Sequence, residues 1–194
     1  MTIERGAMRS TILFVPGLRD HVAEHWQTLL AAELPGSRTV APLEHDKLSC
    51  AARVEALDRA IAAIDGPVVL AAHSAGCLMV AHWAQQHVRP IRGALLATPA
   101  DIERPLPAGY PILSDLEANG WLPLPRSPLP FPSIVAASSN DPLAAADRTE
   151  DLAGAWSSQL VQLGKVGHLN PAAGFGPWPG ALELLQALDL EVAA

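Results

Sequence analysis

Short, continuous apolar runs alternate with longer amphipathic ones along the whole chain, and this alternation restricts the fold more than any other feature. Strands covered on both faces read as unbroken apolar runs, and parallel neighbours need a helical crossover to return the chain to the same edge. Six runs meet that description: 11–17 (TILFVPG), 38–43 (RTVAPL), 67–72 (PVVLAA), 93–98 (GALLAT), 133–138 (SIVAAS) and 158–163 (SQLVQL). Helices are expected at 22–34, 49–64, 75–87, 143–155 and 179–189. Ser49 stands where a cap belongs, and Pro35 with Gly36 stops the first helix. The expected class is α/β, a mostly parallel sheet with helices on both faces.

The 194 residues suit a single domain spanning 1–194, large enough to bury a core without metal or disulfide staples. A net charge of -7 argues against nucleic-acid or anionic-membrane partners, because both require a basic surface to neutralise phosphates. No run approaches the roughly 18 apolar residues of a membrane-spanning helix. The opening residues, MTIERGAMRS, lack the apolar core of a signal peptide, and 1–9 are expected to be flexible. Two cysteines, Cys50 and Cys77, make neither a disulfide framework nor a zinc site, and a cytoplasmic location is expected.

The rhythm breaks between the fourth and fifth strands. Residues 100–132 hold eight of the 18 prolines, which no long helix tolerates. SDLEANGW (114–121) can still form one short helix, capped by Ser114 and stopped by Gly120. Because this insertion leaves the sheet at its carboxyl edge, it is the expected source of substrate selection. Tyr110, Trp121 and Phe131 within it are candidates either for a substrate pocket or, equally, for a purely structural role, and Arg19 is a further pocket candidate.

The stretch VVLAAHSAGC (68–77) carries the chemistry. A strand, a sharp turn and a helix around Ser74 describe a nucleophile elbow, which holds a serine hydroxyl free above the sheet. Strand and helix approach so closely there that the positions two before and two after the serine must be small. They are Ala72, where glycine is usual, and Gly76. A serine needs a base, and His73 is a poor one because strand neighbours point to opposite faces. His168, in VGHLNP after the sixth strand, lies where parallel sheets place their active-site loops. Asp141, in SSNDP after the fifth strand, can hold that imidazole. The amides of Ala75, at the helix start, and of Leu18, in VPGLRDH after the first strand, are the expected oxyanion donors.

These motifs resemble the α/β-hydrolases, and among them the small serine hydrolases of the RBBP9/YdeN family. The resemblance rests on VPG and HWQ (25–27), AHSAGC, SSNDP and GHLN, in that order across most of the chain. It implies a compact, nearly cap-less hydrolase fold with a six-stranded sheet in the order 2-1-3-4-5-6. It also implies serine hydrolase activity without a cofactor or metal. The family's retinoblastoma-binding motif, L-x-C-x-E, is not met, since LSCAA (48–52) ends in alanine, and no protein partner is carried over.

Simpler roles fit other residues. His21 and His25 are four apart, but HVAEH lacks the glutamate after the first histidine that metalloprotease helices carry. Trp26, Trp83 and Trp156 suit helix packing, Cys77 a buried helix position, and Asp147 and Asp151 a solvated helix face. The function expected is hydrolysis of a small acyl substrate through Ser74, His168 and Asp141. The alternative is a hydrolase fold kept as an interaction scaffold with an idle triad.

Overall fold

The computed structural model describes residues 8–190. Its six strands are β1 (Thr11–Val15), β2 (Arg38–Thr39), β3 (Val68–His73), β4 (Gly93–Ala97), β5 (Ser133–Ala137) and β6 (Gln159–Gln162). They form one parallel sheet in the order β2-β1-β3-β4-β5-β6. Its six helices are α1 (Trp26–Glu33), α2 (Cys50–Ala62), α3 (Ala75–Gln86), α4 (Leu113–Ala118), α5 (Ala146–Ala155) and α6 (Gly180–Leu190). The α/β-hydrolase fold implied by the resemblance is the fold observed.

Every residue of β3, β4 and β5 is buried, which explains their unbroken apolar character. Alternate residues serve opposite faces. Leu13, Val15, Leu70, Ala72, Leu96 and Val135 pack with α2, α3 and α5, whereas Ile12, Phe14, Val69, Leu95 and Ile134 pack with Trp26 of α1 and Leu185 of α6. At roughly 1.5–3 kcal/mol for each fully buried large aliphatic side chain, these two layers hold the sheet together.

Several expected boundaries shift. β2 keeps only two residues, both exposed at the sheet edge, although the Val40 amide still donates to the Phe14 carbonyl. The first helix starts at Trp26 instead of residue 22, because the chain from 16 to 24 is spent on a loop over the sheet and His25 becomes the cap. His21 and His25 therefore do not share a helix face. Of the segment expected to be flexible, residues 1–7 lie outside the described residues. Met8 packs against the sheet and the Arg9 amide donates to Asp189 at 2.6 Å.

The insertion is the largest departure from expectation. Ile102, Leu116, Trp121, Leu124, Leu129 and Phe131 all join the core on the α3 side. Trp121 is fully buried, and its indole N–H donates to the Leu48 carbonyl at 2.7 Å while its own carbonyl accepts from His82 at 3.1 Å. The prolines rule out a long helix, but the segment is a packed strap and not an open loop.

Strand order reverses between β1 and β3, so the chain leaves their carboxyl ends toward opposite faces, to α1 and α3. Such a divergence opens a crevice at the sheet's edge. The residues singled out for chemistry gather there.

Candidate active site

The turn from β3 into α3 puts Ser74 at φ 57°, ψ -127°, a backbone conformation that L-residues rarely adopt. Its hydroxyl makes no cap bond to the helix it precedes, so capping does not account for the serine. The strain survives because the surroundings dictate it. The Ser74 amide donates to the Ala97 carbonyl at 3.0 Å, and its carbonyl accepts from Cys77 at 3.0 Å. A Cβ on Gly76 would lie 2.8 Å from the Pro16 carbonyl oxygen and closer still to that of Val15. A Cβ on Gly17 would lie 3.2 Å from the Ser74 Cβ. Ala72, by contrast, is accommodated with no exposure between Val15 and Leu96.

Three side chains from three strand ends then meet. The Ser74 hydroxyl is 2.8 Å from His168 Nε2, and His168 Nδ1 is 2.8 Å from Asp141 Oδ2. A carboxylate only accepts, so Nδ1 donates to Asp141 and Nε2 is left to accept the serine proton. The Asp141 side chain is 3% exposed and the imidazole 5% exposed, which keeps water from competing for the pair. The other Asp141 oxygen accepts from the Leu143 amide at 2.8 Å, so one carboxylate both closes its own Asx turn and orients the histidine.

Side chains to which the sequence assigned no catalytic role hold this arrangement. Asn140 Oδ1 accepts from the Gly167 amide at 2.7 Å, joining the acid loop to the base loop. His73 donates through Nε2 to the His168 carbonyl at 2.9 Å, so the histidine rejected as a base supports the candidate base from below. Gln27 donates to the carbonyls of Ala71 at 2.8 Å and Val15 at 3.2 Å, bridging β1 and β3 where they diverge. Burial keeps His73 neutral by holding its pKa well below the ordinary value, and the neighbouring His168 and His25 push the same way.

Across the crevice, the loop after β1 is clamped. The Asp20 amide donates to the Gly17 carbonyl at 3.1 Å. In a planar trans peptide, the Leu18 N–H then points the opposite way. Arg53 of α2 is 3% exposed and reaches three acceptors of this region: Lys47 O at 2.6 Å, Asp20 Oδ1 at 2.9 Å and Leu18 O at 3.3 Å. The Ala75 amide opens α3 and has no carbonyl one turn back within the helix.

A family model described as serine hydrolase matches residues 12–187. The chain belongs to the serine hydrolase family. A protein of Pectobacterium atrosepticum described as a YdeN-like hydrolase is 35% identical, with a TM-score of 0.78 over 92% of this chain and 91% of the other. The ydeN gene product of B. subtilis is 16% identical, with a TM-score of 0.72 over 94% of this chain and all (100%) of that one, and so shares the fold. The RedJ thioesterase of the prodiginine pathway of Streptomyces coelicolor likewise shares the fold, at 17% identity and a TM-score of 0.61 over 97% of this chain and 92% of that chain. No curated protein matches the chain.

In this serine hydrolase a cavity of about 60 Å³ opens beside Ser74 and His168, walled by Leu18, Arg19, His25, Tyr110 and Asn170. The Arg19 guanidinium lies 5.3 Å over the Tyr110 ring, so the two pocket candidates nearest the serine come as a cation–π pair. Trp121 and Phe131, also expected there, are not in the cavity wall: Trp121 is sealed against Leu48 and His82, and Phe131 packs beside Trp83. Of the two roles the sequence left open for Trp121 and Phe131, pocket lining and structural packing, they take the second, because the helices beneath the strap need that bulk as cover. Of the insertion's three candidates, only Tyr110 reaches the mouth. A larger cavity of about 470 Å³, around Ser10, Glu33 and Gln186, lies away from Ser74 and contains no histidine.

The remaining candidates take structural places. Burial raises the Cys50 thiol to about 11 and Cys77 well above its ordinary range, which makes both poor nucleophiles. Asp147 and Asp151 are exposed on α5. Among the described residues, no three histidine, cysteine or acidic side chains are grouped to hold a metal ion, and no helix is long and apolar enough to cross a membrane.

Proposed function

We propose that the protein hydrolyses small carboxylic esters through a covalent acyl-enzyme. The observation that carries this reading is the unbroken chain of 2.8 Å contacts from the Ser74 hydroxyl through His168 to Asp141, headed by a serine in a strained backbone conformation. Ser74 attacks the ester carbonyl while His168 Nε2 takes its proton, and Asp141 stabilises the imidazolium. The amides of Leu18 and Ala75 donate to the developing oxyanion. His168 then returns the proton to the departing alcohol. A water, deprotonated by the same imidazole, releases the acid. No cofactor enters any step.

The small cavity beside Ser74 favours a short acyl or alcohol group. A thioester would follow the same route with a thiol leaving. The test is intact-mass analysis after exposure to a fluorophosphonate, comparing the wild type with Ser74→Ala and His168→Ala. Stoichiometric labelling of the wild type alone supports the reading. A folded wild type that remains unlabelled would overturn it in favour of an interaction scaffold with an idle triad.

A further inference from the structure

Of the residues that wall the cavity beside Ser74, only Arg19 and Asp20 carry a fixed charge. Their situations differ. Asp20 is committed to Arg53 at 2.9 Å. Arg19 is exposed, and its guanidinium lies 5.3 Å over the Tyr110 ring. Among the described residues no carboxylate or carbonyl meets it. Arg89, Arg126 and Arg148, by contrast, spend their donors on Asp58, Glu103 and Asp101.

The ring beneath Arg19 is itself fixed. Tyr110 is half-buried, packs against the core on the α3 side, and donates its amide to the Pro107 carbonyl at 3.2 Å. A ring face attracts the cation through its quadrupole but offers no lone pair to the five guanidinium N–H groups. The stack therefore stations the charge at the cavity mouth and leaves its donors for a ligand. The local balance of charge favours an anion, because Arg19 and Arg53 against Asp20 leave one positive charge. Burial, with the neighbouring His168, lowers the His25 pKa to about 4 and holds that of His73 well below its ordinary value, so both rings are neutral. Asp141 is 3% exposed and turned onto His168. A cleft of one sign concentrates its field on whatever enters it, and here that sign opposes the chain's overall charge of -7.

We infer that Arg19 is a specificity-determining residue that binds a carboxylate of the substrate, and that the preferred substrates are short esters bearing one free carboxylate. The inference rests on the acyl-transfer reading and narrows its substrate class from small esters to anionic ones. The planar guanidinium fork matches a carboxylate in two parallel N–H···O bonds, which a neutral amide of the same shape reproduces only in part. The cavity is small, so a carboxylate on a short acyl or alcohol group still lies at its mouth.

The carboxylate can belong to the acyl or to the alcohol half, and two substrate pairs separate these sources. The acyl pair is methyl hydrogen succinate against methyl succinamate; the alcohol pair is acetoxyacetate against acetoxyacetamide. Each pair exchanges a carboxylate for an amide at equal length. The kcat/KM ratio within each pair, followed by titration of the released acid, is compared between the wild type, Arg19→Gln and Arg19→Glu, so intrinsic ester reactivity cancels. For one lost charge-assisted hydrogen bond at an exposed site, Arg19→Gln should lower the anion-to-amide ratio about tenfold in at least one pair. Arg19→Glu should lower it further by repulsion, and the pair that responds identifies the half that carries the carboxylate. Ratios that change less than twofold in both pairs and both variants overturn the role of Arg19 alone. A wild type that takes the fluorophosphonate label yet hydrolyses none of the four esters likewise overturns this inference and leaves acyl transfer standing. A folded wild type that neither labels nor hydrolyses any of them overturns both.

Discussion

Removing the Arg53 guanidinium tests whether the loop that carries the proposed oxyanion donor, the Leu18 amide, is held from behind. Arg53→Met preserves much of the side chain's apolar bulk but deletes donors to Lys47 O, Asp20 Oδ1 and Leu18 O. The Arg53 and Asp20 side chains are 4% and 18% exposed. Breaking a fully buried pair costs about 3–5 kcal/mol, and the partial access of Asp20 to water puts this pair at the lower end, about 3 kcal/mol. The substitution should also release the turn that aims the Leu18 amide. Losing one oxyanion donor costs about 10²–10³ in kcat, so displacing it should cost about ten- to a hundredfold, with KM little changed. The double variant Arg53→Met/Asp20→Asn separates the two effects. Asp20 sits at φ 52°, a conformation asparagine tolerates, and the neutral amide removes the stranded charge. Urea unfolding should show the double variant recovering part of the lost stability, whereas kcat on a 4-nitrophenyl ester stays low because Leu18 O is still unheld. An Arg53→Met enzyme that loses stability yet keeps kcat within twofold would refute the proposal that this side chain aims the amide.

Stability should fall as pH drops through the histidine range. His25, His73 and His82 all have lowered pKa values, chiefly through burial, with His25 at about 4. The unfolded chain takes up protons near pH 6.5 that the folded state refuses, so the stability is present above 6.5; for His25 it is lost between about 6.5 and 4, at about 1.4 kcal/mol per pH unit, and His73 and His82 add losses of the same sign. Urea midpoints at pH 7 and pH 5 check this, and equal unfolding free energies would contradict it. Trp121→Ala should cost about 3–5 kcal/mol by emptying a fully buried site under the strap, and should reduce kcat/KM far less than Arg53→Met. A reversed ranking by thermal unfolding and ester assay would return Trp121 to the pocket.

Much of this architecture is legible in local pattern. The six strands and the turn at Ser74 follow from side-chain period and steric rules that neighbouring residues impose on one another. The Ser74, Asp141, His168 order likewise survives folding because each residue closes a strand that must end at the same edge of a parallel sheet. The first helix was misplaced because HVAEHW continues a helical spacing while the fold spends those residues on the loop beside the serine. Tyr110 could not be told in sequence from Trp121 and Phe131, which cover the core, because apolar bulk looks alike whether it lines a pocket or packs beneath a strap.

What the amino-acid order alone determined was therefore the class of sheet, the elbow and the three candidate catalytic residues. Only the tertiary structure decided what supports and surrounds them. His73 lies 95 residues from the carbonyl it holds, Arg53 lies 33 residues from Asp20, and His25 becomes a buried cavity wall through its place beside His73. Such partners are chosen by sheet register and helix docking, which sum weak contacts over the whole chain. No short window of sequence contains that sum, whereas a strand or a tight turn is largely settled within a few residues.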